Sequence, residues 1–175
     1  MRVIQDKYLQ KAHLVAAGAA TAESLPVAEN TPAALAAVGA QLGYPFMLKS
    51  RTLAYDGRGN YVVKSAAAIA GALDALKDRP LYAEKWARFT HELAVMVVRT
   101  QDDRCLSYPT VETVHEDNIC KLVYAPARVP AGVRERARRL AETAVGSFWG
   151  AGVFGVEMFL LADGTCPGPR LRPAC

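Results

Sequence analysis

Long apolar runs, closely paired cysteines and aromatics interleaved with its arginine cluster are all missing from this 175-residue chain. No stretch approaches the ~20 consecutive apolar residues of a membrane-spanning helix. The start, Met1-Arg2-Val3-Ile4-Gln5-Asp6-Lys7, has no apolar signal core. No membrane partner is expected, and the expected location is cytoplasmic. Cys105, Cys120, Cys166 and Cys175 lie far apart without a C-x-x-C pair, which removes the usual zinc and redox-dithiol frameworks and leaves free thiols in a reducing compartment. The net charge is only +4, and its main source is Arg134, Arg136, Arg138 and Arg139, interleaved with Glu135 and Glu142. On a helix such a run is a solvated face, and without interleaved aromatic rings it excludes nucleic acid as the main partner. Apolar content is what the chain does have. At 51% hydrophobic it can bury one good core or two small ones.

The densest chemistry lies around Lys49. Tyr44-Pro45-Phe46-Met47-Leu48, led in by Gly43, reads as a buried strand that Lys49 ends. Asp56-Gly57-Arg58-Gly59 is turn chemistry, its glycines free to take positive φ, and Tyr61-Val62-Val63 resumes a strand. A strand–loop–strand of this kind can fold over a polyphosphate, offering backbone N–H groups while the lysine supplies a point charge. The pattern by itself equally fits an ordinary Asp-Gly hairpin.

Elsewhere the signals alternate between helix and strand. Asp6 caps a helix to about Ala17, and Ser24 to Ala28 is extended. Thr31-Pro32 starts a second helix that stops near Gly43. Ser65 caps a third to about Lys77, and Leu81 to Trp86 is a strand. A meander follows, with strands over Leu93 to Thr100, Cys105 to His115 and Ile119 to Ala125. An amphipathic helix over Pro130 to Phe148 precedes a strand from Val153 to Leu161. In that strand Phe154, Val156, Met158 and Leu160 form an apolar face, which puts Glu157 on the opposite face as an oxygen ligand for a hard cation, or as an ordinary exposed or paired glutamate.

The stretch Gly43 to Lys64 combines with Tyr82-Ala83-Glu84-Lys85-Trp86, Glu92 to Val97, Ser107 to His115 and Phe154 to Phe159. Together they resemble the ATP-grasp part of fungal-type phosphoribosylaminoimidazole carboxylases, a 5-(carboxyamino)imidazole ribonucleotide synthase module. The resemblance runs from about Arg2 to Gly164. It implies an α+β, truncated ATP-grasp fold: residues 1–43 as the leading helices and linker, 44–84 as a small lid, 85–165 as a larger, incomplete antiparallel-sheet subdomain, with a nucleotide between lid and sheet. It also implies roles. Lys7 and Lys49 contact ATP phosphates, and Tyr55, Asp56, Gly57, Arg58 and Gly59 form the lid loop. Glu84, Lys85, Trp86 and Ala87 form the hinge that reads adenine, Ala87 departing from the valine or proline more usual there. Glu92 accepts from the ribose hydroxyls, and His115 sits near nucleotide and bicarbonate. Glu157 is the first magnesium carboxylate, and Lys49, Arg58 and His115 are the catalytic candidates. The implied cofactors are ATP and Mg2+, and the implied substrates are ATP, bicarbonate and aminoimidazole ribonucleotide.

After Asp163-Gly164 the family continues into a strand carrying an Asn-Glu pair. Here Cys166-Pro167-Gly168-Pro169-Arg170-Leu171-Arg172-Pro173-Ala174-Cys175 follows instead. Its three prolines argue against a strand, so residues 166–175 are expected to be a disordered, unrelated tail, with the second magnesium carboxylate and the substrate-phosphate segment absent. Two functional classes stay open: an ATP-dependent carboxylating ligase present as a fragment, with further domains or a homo-oligomer as partners, and a nucleotide-binding or structural remnant that catalyses nothing.

Overall fold

The computed structural model describes residues 2–52, 59–117, 119–166 and 169–173. They divide into two compact units, 1–10 with 22–87, and 11–21 with 88–175. Most of residues 1–43 pack with the first sheet, and the division falls after Ala87.

In the first unit a short helix α1 (Arg2–Gln5) leads into α2 (Lys7–Ala16), and the boundary between the units falls within α2. Asp6 caps α2 as the sequence predicts, its Oδ1 accepting from the backbone N–H groups of Tyr8 (3.0 Å) and Leu9 (3.1 Å). A four-stranded antiparallel sheet follows in the order β1 (Ser24–Pro26), β4 (Leu81–Lys85), β2 (Phe46–Ser50), β3 (Asn60–Val63). Helix α3 (Pro32–Leu42) starts where Thr31 Oγ1 accepts from Ala34 N and proline takes the first turn. It ends at Gly43, whose φ of +78° suits glycine. Ser65 makes no side-chain cap. The third helix instead begins as a 3-10 turn, Ala66–Ala68, before α4 (Ile69–Ala75), since alanines cannot satisfy its first amides and the tighter turn does so. Leu35, Val38, Phe46, Leu48, Val63 and Leu81 close the core, each contributing about 1.5–3 kcal/mol by burial.

The second unit is built on a six-stranded antiparallel sheet ordered β10 (Arg170–Pro173), β9 (Gly152–Leu161), β5 (Phe89–Arg99), β7 (Val111–Glu116), β8 (Ile119–Tyr124), with β6 (Cys105–Ser107) also on β5. The single strand expected over Cys105 to His115 is two. Val97 pairs Ser107 and Ala94 pairs Val111, so three steps on β5 meet four on its neighbour, and Pro109, with no N–H to give the ladder, falls in that bulge. Helix α5 (Ala131–Gly146) packs on β5, β6 and β9. The predicted apolar face of β9 lies in this core, with Phe154, Val156, Met158 and Leu160 all buried, and Glu157 is on the other face. Buried Arg99 donates to the carbonyls of Val145 (3.2 Å) and Gly146 (3.0 Å), satisfying the last turn of α5.

Of the stretch 166–175 expected to be a disordered tail, residues 167, 168, 174 and 175 lie outside the described residues, and Arg170–Pro173 forms β10, antiparallel to β9, with Arg170 opposite Glu157 and Leu171 opposite Val156. Pro173 is the proline within β10, which as an edge strand tolerates a residue with no N–H to give, and Leu171 is only 3% exposed.

Candidate active site

Each unit brings some of the sequence-predicted residues together. In the first, strand alternation and register do the placing. Lys49 on β2 lies opposite Tyr82 on β4, one diagonal step from Glu84. Lys49 Nζ donates to Glu84 Oε2 at 2.6 Å, and both side chains are largely buried, at 16% and 12% exposed. The other oxygen, Glu84 Oε1, accepts from the Tyr82 hydroxyl at 2.9 Å, and Tyr82 is buried. The strong charge-assisted bond fixes an otherwise flexible lysine stem. Gly59, just before β3, has φ +111°, its carbonyl accepting from Ser50 N at 2.7 Å. The predicted loop residues Tyr55, Asp56, Gly57 and Arg58 lie outside the described residues.

Lys7 is held through its backbone, its N–H donating to the Arg51 carbonyl at 2.9 Å. The Arg51 guanidinium grips both oxygens of Asp6, Nε at 3.1 and 3.0 Å and Nη2 at 2.7 Å, and lies 5.4 Å from the centre of the Tyr8 ring. Burial pushes the Asp6 carboxyl up, but the hydrogen bonds and charge of Arg51, with the N–H groups of Leu9 and Tyr8, outweigh it and leave the group below its ordinary value. Lys85 turns outward to Glu23 (3.0 Å, both side chains 56% exposed), Trp86 is exposed and Ala87 half-buried. Of the expected hinge only Glu84 points a side chain at Lys49.

In the second unit Glu92 on β5 is the centre. It lies opposite Thr113 of β7 and Phe159 of β9, so His115 and Glu157 are its diagonal neighbours on one face. His115 Nδ1 and Glu92 Oε2 are 2.6 Å apart. Burial pushes the Glu92 carboxyl above its ordinary value. His115 works against this by charge and hydrogen bond, and the negative charge of Glu157 adds to it. Among the described residues, no three His, Cys, Asp or Glu side chains gather into a metal cage. Glu157 presents a carboxylate on the face it shares with Glu92, the donor type that a hard cation takes.

Sequence reasoning missed Arg51 and Tyr82. Tyr82 had a signal, since it shares a strand face with Glu84 two residues on, whereas nothing local ties Arg51 to Asp6.

The chain is similar to known proteins. A family model described as the ATP-grasp domain matches residues 12–166. The phosphoribosylaminoimidazole carboxylase of Saccharomyces cerevisiae is 60% identical over 164 residues, covering 94% of this chain and 29% of its own length. Among solved structures, the Aspergillus clavatus carboxyaminoimidazole ribonucleotide synthase complexed with ATP matches with a TM-score of 0.94 and 61% identity, over 97% of this chain and 44% of that one. The N5-carboxyaminoimidazole synthase of the same organism, in complex with ADP and 5-aminoimidazole ribonucleotide, gives 0.91 and 58%, again over 97% and 44%. The chain thus spans less than half the length of these relatives. Because the family match takes in both the Lys49 strand and the Glu92 cluster, the chain belongs to the ATP-grasp domain family.

Proposed function

We propose that the chain is the ATP-binding part of an enzyme that carboxylates 5-aminoimidazole ribonucleotide in purine biosynthesis. The observation that carries this reading is the largely buried Lys49 ammonium on β2, fixed by Glu84 at 2.6 Å. Its support from relatives is the likeness to synthases solved with ATP, and with ADP and aminoimidazole ribonucleotide.

In the reaction, a bicarbonate oxygen attacks the γ-phosphorus of ATP, the bond to the β-phosphate oxygen breaks, and ADP and carboxyphosphate result. The exocyclic amine then attacks the carboxyl carbon, phosphate leaves and the nitrogen loses a proton. Phosphoryl transfer needs charge neutralisation and alignment more than covalent help. Lys49 and Lys7 supply positive charge to the phosphates, Lys7 with its backbone tied to Arg51. Glu92 accepts from the ribose hydroxyls, with His115 fixing its carboxylate. The backbone of Glu84 to Ala87 reads the adenine edge, since both Glu84 oxygens are already engaged. Glu157 would hold magnesium, which when bound would neutralise phosphate charge. The remaining length of the relatives supplies the substrate-binding partner domains, and the protein acts in the cytoplasm as a monomer or homo-oligomer.

Calorimetric titration with Mg-ADP tests the nucleotide site. Wild type binds and Lys49→Ala loses most of the affinity, whereas equal binding by both would remove Lys49 from the phosphate site. One observation favours the second reading, a remnant that binds nucleotide without turnover. Strand β10, next to Glu157, contains no carboxylate, and Arg170 holds the register position opposite it.

A further inference from the structure

Tyr82 is 2% exposed, and its ring centre lies 5.9 Å from that of Tyr8. As a core residue it could as well be phenylalanine, which would bury the same ring and bring no hydroxyl out of water. The hydroxyl is instead aimed at the one Glu84 oxygen that Lys49 does not use. Tyr82 donates to Oε1 at 2.9 Å while Lys49 donates to Oε2 at 2.6 Å. A carboxylate held at one oxygen can still turn about its last torsion, which is broad in glutamate. Held at both, it cannot turn, and the ammonium it carries is fixed as well. Lys49 has a four-carbon stem with considerable rotamer entropy to lose, so a carboxylate already locked in place supplies the preorganisation that a phosphate-binding lysine lacks by itself.

We infer that Tyr82 is a positioning residue for nucleotide phosphate binding, acting through Glu84 on Lys49. The inference rests on the reading of Lys49 as a phosphate ligand. It assigns Tyr82 no contact with the nucleotide. Its hydroxyl sets where the Lys49 charge stands, and its loss therefore weakens ligands that carry phosphates and spares those that do not.

The test is titration of the full chain with Mg-ADP and with adenosine, using wild type, Lys49→Ala, Tyr82→Phe, Glu84→Gln and the Tyr82→Phe/Glu84→Gln double variant. Lys49→Ala tests the underlying reading separately: unchanged Mg-ADP affinity there removes the phosphate site itself. With that variant defective, Tyr82→Phe is expected to weaken Mg-ADP about 3- to 10-fold, the loss of one hydrogen bond to a charged group felt through one intermediary. Adenosine affinity stays within about 2-fold of wild type, and in the Glu84→Gln background the Tyr82→Phe effect on Mg-ADP disappears. Wild-type Mg-ADP affinity in Tyr82→Phe would overturn the inference. So would equal losses for Mg-ADP and adenosine, the mark of a merely structural residue, or an undiminished loss in the Glu84→Gln background.

Discussion

Arg51 grips both carboxylate oxygens of Asp6 while its own carbonyl accepts from the N–H of Lys7, so one residue at the end of β2 holds the first turn of α2 by side chain and by backbone. Asp6 is also the cap of that helix. The two lysines read as phosphate ligands, Lys7 and Lys49, are thereby tied to a common strand end.

Asp6→Asn keeps a capping oxygen but loses the charge. At neutral pH it should cost about 1–2 kcal/mol, the range of a hydrogen-bonded ion pair that is neither fully exposed nor fully buried. The folded-state value of Asp6 lies below its unfolded value. Its contribution is therefore complete above the unfolded value, near pH 4, and is lost as pH falls through the folded one. Urea unfolding across pH should show the gap between wild type and variant closing as the solution is acidified. A gap independent of pH would show that the Asp6 charge does not act through Arg51.

Glu92 has the opposite sign. Burial and the neighbouring Glu157 raise it despite His115. Its favourable contribution is present below its unfolded value and is lost as pH rises through the raised folded value. Glu92→Gln cannot ionise, so its stability relative to wild type should rise between about pH 4 and neutrality. Unfolding midpoints measured over that interval settle it, and a flat difference would mean that the carboxylate ionises in the fold without cost.

Much of both clusters was legible in the sequence, for a physical reason. Where a signal is local and periodic it survives folding: the β9 alternation placed Glu157 opposite the apolar face, Asp6 and Thr31 capped their helices, and Gly43 stopped one. What stayed hidden depends on register or edge position. Arg51 reaches Asp6 across 45 residues of sequence, which no local pattern announces. Pro109 splits a strand because of where it falls in the ladder, and the proline of β10 is tolerated because that strand is at a sheet edge. Tyr82 reads as an ordinary apolar strand residue until β2 is set beside β4.

Turnover should be absent even where nucleotide binds. The ATP-grasp resemblance calls for an Asn-Glu pair on the strand beside Glu157, and β10 offers Arg-Leu-Arg-Pro there. Unneutralised phosphate charge costs several kcal/mol of transition-state stabilisation. Purified chain given Mg-ATP, bicarbonate and aminoimidazole ribonucleotide is therefore expected to release no phosphate above background. Substrate-dependent release would show that the neighbouring carboxylate is dispensable.

The strand β10 gives the last prediction. Its Leu171 is well buried, opposite Val156 at the sheet edge. Placing a carboxylate there removes apolar burial and takes a charge out of water. If the strand pairs as described, Leu171→Asp should lower stability by more than about 2 kcal/mol, since a buried leucine is worth about that much before the charge is counted. Without β10, the outer edge of β9 would present unpaired backbone groups to other chains, so the variant should also aggregate at concentrations where wild type does not. Hydrogen exchange gives the independent check: amides between Arg170 and Arg172 that bond to β9 exchange slowly in wild type and fast in Leu171→Asp. Fast exchange throughout this stretch in wild type, with an unchanged unfolding midpoint in the variant, would show that the prolines prevail and the strand does not form.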